Sequence, residues 1–367
     1  MPTFAPYMPF VLHMPLLVKR ILRFLLFFGI GALLLVLVFR HQSTAYREQC
    51  RLDGIPPEQC RLTDKLLGDF AAVNVYWMGL VWIAFTASIL LRAWRWRVLL
   101  EPMGYRPRLS NCFWTIVLGY FANLGLPRMG EVVRAGALSR YERIPIGQVM
   151  GTLVVDRLMD FVCLGLFVGL AFLWEGHTLW AFLQQQRSSG APWWQSPAVI
   201  ALVGIAVVGG GVWWFLGEKI GRLPLFRRWA AWLAGFGEGL RSVFRLHRAG
   251  IFLLCSLGIW VMFYLQTWFN LKAFGPTAHL GWDAALMVFV FGTLGFVVPS
   301  PGGMGSFHAL AVAGLALYAV RGDDAFSYAN IAFFAVQIFY NIFGGLLALG
   351  LLPLLNRSSL TSTVPHE

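Results

Sequence analysis

The chain has 367 residues, 58% of them hydrophobic and 16% aromatic, and only 13% are charged. A mean hydropathy of +0.67 is too apolar for a soluble domain of this size, so the composition points to a polytopic membrane protein. The formal charge of +12 gathers at the ends of apolar stretches, where it reads as topology and anionic-lipid signals, and it argues against a nucleic-acid partner.

At the N-terminus Lys19, Arg20 and Arg23 precede an apolar run to Phe39, and Arg40-His41 follows where a cleavage site would need small residues. A retained signal-anchor helix over 17–39 is expected, with an external polar loop completing a unit 1–74. Cys50 and Cys60 lie in that loop and would close a short disulfide ring if it faces an oxidising compartment. Cys112, Cys163 and Cys255 read as small packing residues. The cysteines lack the partners and spacing of a metal site, and no cofactor is implied.

Further stretches long enough for a hydrocarbon core, which takes about 20 apolar residues, fall near 75–98, 146–174, 197–216, 250–273 and 327–354. With the first helix they make six spans. Basic residues collect at Arg92, Arg95, Arg97, Arg106 and Arg108, at Arg134, Arg140 and Arg143, and again in 217–249. The loop 175–196 holds only Arg187, and 274–283 holds no Lys or Arg. The positive-inside rule then puts both termini in the cytoplasm of a cell-membrane protein, although five basic residues in 40–74 run against it. The segment 217–249, basic and rich in Trp and Phe, reads as an interfacial amphipathic segment.

Two apolar segments break on Pro and Gly: Asn123-Leu-Gly-Leu-Pro127-Arg128-Met-Gly-Glu131, and Pro299-Ser-Pro-Gly-Gly-Met-Gly305-Ser306. Such breaks free backbone groups that lipid cannot satisfy, so they belong inside protein or beside a wet cavity. In the predicted topology the first break enters from the cytoplasm and the second from outside, returning through Arg321-Gly322-Asp323-Asp324. The expected fold is an all-α polytopic membrane protein: six spanning helices plus two re-entrant broken-helix pairs in an inverted repeat. Its halves would be 75–216 and 250–356, with a short cytoplasmic tail 357–367. Plain kinks within full spans, giving eight helices, are the alternative.

Candidate chemistry concentrates in 118–161. Asn123, Arg128, Glu131, Arg134, Asp156, Arg157 and Asp160 are polar residues in apolar surroundings, where an ionisable group usually pairs or lines a pathway. Glu131 and Arg134 share a helix face, and Asp156, Arg157 and Asp160 fall in one arc of about 100°. Arg128, just before a new helix, suits bidentate contact with a phosphate. An internal salt-bridge network fastening two helices explains the same residues without a ligand. At the second break, Gly302, Gly303 and Gly305 let backbone approach a ligand, and free N–H groups there could hold an anion. Ser306 fits a cap or hydroxyl-donor role. His308 can titrate or bind phosphate, or simply pack. The elbow, P-loop and zinc-protease signatures of enzymes are missing from the sequence.

The run Leu118-Gly-Tyr-Phe-Ala-Asn123 … Leu126-Pro-Arg-Met-Gly-Glu131-Val-Val-Arg134, with Val155-Asp156-Arg157 … Asp160 and the later Pro299-Ser-Pro-Gly-Gly-Met-Gly305, resembles the flippase-like, lysylphosphatidylglycerol synthase transmembrane-region family. That resemblance implies a membrane protein handling anionic or polyprenyl-linked lipids. In aminoacylating members this region moves the modified lipid while a separate soluble domain performs the transfer. The chain here ends soon after its last span, so the resemblance carries over the membrane region and not the synthase activity. Two positions depart from the family pattern: Asp156 stands where Glu is common, and His308 where many members have Glu. The expected function is a lipid translocase that is not an enzyme, with self-association left open. The alternatives are a membrane enzyme using a polyprenyl-phosphate substrate with Asp156 and Asp160 on Mg²⁺, and a scaffold acting through 218–248.

Overall fold

The computed structural model describes residues 16–56, 58, 60–125, 129–188, 248–298 and 300–357. Arg128, the expected span 197–216 and residues 217–247 of the interfacial segment therefore lie outside the described residues. So does the tail beyond Arg357.

All the regular structure of the described residues is helical, with no strand among them. In chain order the helices are α1 (Leu16–Leu52), α2 (Leu62–Ala71), α3 (Val75–Leu100), α4 (Leu109–Gly125), α5 (Met129–Glu142), α6 (Ile146–Ser188), α7 (Ala249–Ala273), α8 (Trp282–Val297), α9 (Ser306–Ala316), α10 (Gly322–Phe333) and α11 (Asn341–Leu355). A π-helical segment, Phe334–Tyr340, joins the last two. Val75–Met103, Ala249–Ala273 and Gly322–Leu355 are each long and apolar enough to cross a membrane, so the protein is an integral membrane protein.

One correction concerns 40–74, expected as a loop. Helix α1 continues through it to Leu52, because neither Gly nor Pro occurs between Arg40 and Gly54 to stop it, and α2 follows. Charges of α2 pair with those of α10. Lys65 reaches Asp69 and Asp324 at 2.7 Å each and Asp323 at 3.8 Å, while the Ser327 hydroxyl donates to Asp69 at 2.5 Å. This clamp holds α2 on the first turn of α10, where Asp323 and Asp324 also suit the helix dipole. Cys50 and Cys60 are buried free thiols.

The centre of the fold is the pair α3 and α7, packed antiparallel along their lengths. Asn74 caps α3 through its side chain and donates its own N–H to the Ala273 carbonyl at 2.9 Å. Further along, Trp77 meets Trp268 and Phe269, and at the opposite end Arg95 donates to Ser256. Trp268 stacks on Trp282 with ring centroids 3.8 Å apart, beside Trp77, as aromatic side chains do at a membrane interface.

Each break sits at the tip of a helical hairpin. At the base of α4 and α5 the Glu142 carboxylate accepts from Arg108 N–H at 3.0 Å and from the Asn111 amide at 2.6 Å, so both hairpin ends emerge on one side. Near the tip, glycine lets the backbones touch: a Cβ on Gly130 would overlap the Gly119 carbonyl and the Asn123 carboxamide. Helices α8 and α9 repeat the device, with Gly295 against the backbone of Phe307. Helix α6 packs on α8 of the second hairpin, and α11 packs on α4 of the first, where Phe121 fills the space over Gly345.

Candidate functional site

Four arginines and three carboxylates meet where α3, α5 and α6 converge. Asp156 lies on α6; its Oδ1 faces Arg95, and its Oδ2 faces Arg134 at 3.1 Å and Arg92 at 3.5 Å. One turn later, Asp160 meets Arg95 at 2.8 Å through Oδ1, and Arg92 at 3.0 Å and Arg157 at 3.2 Å through Oδ2. Arg157 also reaches Glu131 of α5 at 2.5 Å. Arg92, Arg95, Arg134 and Asp156 retain 4%, 0%, 4% and 1% of their surface, whereas the Arg157 and Glu131 side chains are 42% and 38% exposed. The cluster therefore has a dry interior and one half-open rung. Flat aromatic faces support the interior arginines: Trp96 lies 5.1 Å from the Arg134 guanidinium and Phe252 lies 5.9 Å from that of Arg95.

The arrangement joins residues that the sequence grouped differently. Glu131 and Arg134 share a helix, but each pairs across to α6 and not with the other. Arg92 and Arg95 correct a second expectation, since they read as topology signals flanking a span and are instead its most deeply buried charges. The exposed Arg106, Arg108, Arg140 and Arg143 remain as the flanking basic group. Every oxygen of Asp156 and Asp160 faces a guanidinium, so the two acids are occupied by the protein's own cations and do not form a vacant divalent site.

Asn123 closes the first break, accepting the Gly130 N–H at 2.8 Å. That bond satisfies one of the donors freed at the start of α5. Gly302, Gly303 and Gly305 have φ of 59°, 80° and 80°, a left-handed backbone that only glycine takes without strain. Two of the N–H groups expected to be free there are engaged: Gly303 donates to the Ser300 carbonyl at 3.2 Å and Gly305 to His308 Nδ1 at 3.4 Å. Ser306 is the first residue of α9 and acts as a hydroxyl donor, not as the cap, which is Gly305: its hydroxyl donates to the Gly295 carbonyl at 2.7 Å and lies 3.0 Å from the Ser300 hydroxyl. His308 is buried, its ring 4.9 Å from that of Phe333, and it reads as a cap and packing residue.

The two breaks face one another. Around Gly302 stand Leu124 from the tip of α4, Gln337 from the π-helical segment and Phe333, each about 4 Å from where a Cβ would sit. Gln337 accepts from Asn341 at 3.2 Å, and the buried Oδ1 of Asn341 has no partner. Gln337 and Asn341 are polar groups that the sequence reading passed over. A π-helical segment is a frequent mark of a functional site, but no residue type in 334–340 announces one.

A profile of the lysylphosphatidylglycerol synthase transmembrane region matches residues 63–344, most of the chain and both hairpins. The chain belongs to that family. The lysylphosphatidylglycerol synthase transmembrane region thus includes the whole arginine–aspartate cluster and both breaks. A UPF0104 membrane protein of Methanocaldococcus jannaschii is 34% identical over 112 residues, 29% of this chain and 33% of the relative. The match spans about a third of that relative's length. No solved structure matches the chain closely enough to compare folds.

Proposed function

We propose that the protein is a lipid translocase of the cell membrane, moving an anionic phospholipid or polyprenyl-linked lipid whose headgroup passes between the two breaks while its tails stay in the bilayer. The observation that carries this reading is the meeting of the breaks at Leu124 and Gly302, one helix away from a buried charge cluster. Irregular backbone at membrane depth is tolerated where protein buries it or where it lines a polar passage, and paired broken helices are the usual sign of a transporter's substrate site.

The same reading takes the fold as an inverted repeat. Helices α3 and α7 would correspond, the two hairpins would correspond, and α6 would match the run α10 to α11. Three features support it. The α3 and α7 helices run antiparallel, the third element of each half packs on the other half's hairpin, and the corresponding helices start in step to within about three residues. Six spans, with both termini cytoplasmic, go with this arrangement.

A phospholipid with a photoreactive headgroup tests the passage. Photolysis with protein in nanodiscs should label peptides from both 118–131 and 296–308, and excess unmodified lipid should suppress both. Labelling confined to the lipid-facing residues of α6, such as Phe161 and Leu166, would refute a headgroup passage between the breaks.

A further inference from the structure

We propose that the arginine cluster is a binding site for a single phosphodiester, in which the substrate's one negative charge joins Asp160 on Arg92 and Arg95 and cancels the cluster's surplus. The inference rests on the translocase reading for its role and adds the chemical class of the headgroup. It begins from charge. In the dry interior three guanidiniums, Arg92, Arg95 and Arg134, face two carboxylates, Asp156 and Asp160. The half-open rung adds one of each, Arg157 and Glu131. Either way the described residues leave a net surplus of one positive charge, in surroundings where an uncompensated charge is expensive.

Hydrogen bonding gives the same answer. The Nε–H groups of Arg92, Arg95 and Arg134 are buried and donate to nothing, although all three side chains are more than nine-tenths buried. The cluster thus lacks one anion's charge and offers at least three unused donors. Guanidinium donors match the paired oxygens of a phosphodiester in the fork geometry they already make with carboxylates.

The two acids are unequal. Asp156 is locked among three arginines. Asp160 is the more exposed, and one of its oxygens is shared with Arg157, which leans out to Glu131. Swinging the Arg157–Glu131 rung aside frees Asp160 first. A phosphodiester drawn in beside it presents the same charge and the same pair of oxygens, so the arginines gain a third anion and the cluster reaches neutrality. A headgroup bearing two negative charges would overfill a surplus of one.

The test is equilibrium binding to the full-length protein, read by native mass spectrometry, with dioleoyl phosphatidylglycerol as the phosphodiester and dioleoyl phosphatidic acid at pH 8.5 as the dianion. The wild type should retain one phosphatidylglycerol and prefer it at least fivefold. Arg92→Gln should lower that affinity at least tenfold. Asp160→Asn raises the surplus to two and should reverse the preference. Because Asp160→Asn cuts buried contacts, Glu131→Gln makes the same charge change at the half-exposed rung and should shift the preference in the same direction. A preference unmoved in both Asp160→Asn and Glu131→Gln overturns the proposal, as does an Arg92→Gln variant that binds like wild type. Dimethyl phosphate as competitor separates the sources: displacement of the lipid at millimolar levels assigns a soluble phosphodiester, and no displacement assigns a lipid headgroup. Binding selectivity is read without transport, so its failure is distinct from failure of the translocase reading.

Discussion

Asp156 is the residue on which the cluster's stability turns, and Asp156→Asn isolates its charge with almost no change in shape. The carboxylate is 1% exposed and faces Arg95, Arg134 and Arg92. Neutralising it leaves three buried guanidiniums against Asp160 alone. Breaking a buried pair in this way costs about 3–5 kcal/mol, a factor of roughly a hundred to a few thousand in the folding equilibrium. Reversible unfolding in mixed micelles, followed by tryptophan fluorescence, measures the loss. The double variant Arg95→Met/Asp156→Leu removes one charge of each sign and restores the wild-type surplus. It should therefore recover to within about 1–2 kcal/mol of wild type, since well-packed apolar replacements for a buried pair are often neutral. A single variant within about 1 kcal/mol of wild type, or a double variant as poor as the single, would refute the reasoning.

Other substitutions probe the hairpins and the clamp. Gly130→Ala should cost about 1–3 kcal/mol by forcing α4 from α5, whereas Gly136→Ala, which meets nothing within 4 Å, should be neutral or slightly stabilising; thermal melts with size-exclusion profiles separate them. Ser306→Ala strips the Gly295 carbonyl of its donor and should lower stability by about 1–3 kcal/mol, readable in the same melts. Burial alone would lower the pKa of Lys65, but Asp324 and Asp69 outweigh it and hold the ammonium above its ordinary range. A raised pKa means the clamp contributes fully below the unfolded value and loses its contribution only as pH climbs through the folded one. Hydrogen exchange across α2 should thus stay level from pH 6 to 9 once corrected for intrinsic rates, and protection should fall only in strongly alkaline buffer. In a cysteine-free background, Leu109→Cys and Arg140→Cys should react with an impermeant maleimide from the same side; labelling from opposite sides would break the hairpin.

The breaks were legible because Pro and Gly act locally: 123–131 and 299–306 interrupt helices in the fold as they do in the sequence. The acids and basic residues of 131–160 were legible for a similar reason, since charges inside an apolar run need partners. Which partners was not legible. Arg92 and Arg95 sit near the end of an apolar helix, where positive charge ordinarily marks an interface. Their burial is decided by Asp156 and Asp160, more than sixty residues on, and by Ser256 on α7. One signal was available: arginines three apart on one helix match acids four apart on another, a pairing of faces that flanking charges do not need. At the second break the sequence offers donors, but backbone geometry directs those of Gly303 and Gly305 to Ser300 and His308. Residues 40–74 show the converse: polarity alone does not make a segment irregular, and nothing in 40–52 ends a helix.

Translocation itself is the most direct test of the central claim. Purified protein should be reconstituted at about one copy per vesicle with a trace of headgroup-labelled phosphatidylglycerol, and external dithionite used to bleach exposed label. Wild-type vesicles should lose the protected inner-leaflet signal within minutes, while empty vesicles and those carrying Arg92→Gln keep it. A protected fraction in wild-type vesicles equal to that of empty ones, with the protein shown to be folded and oriented, would contradict the account.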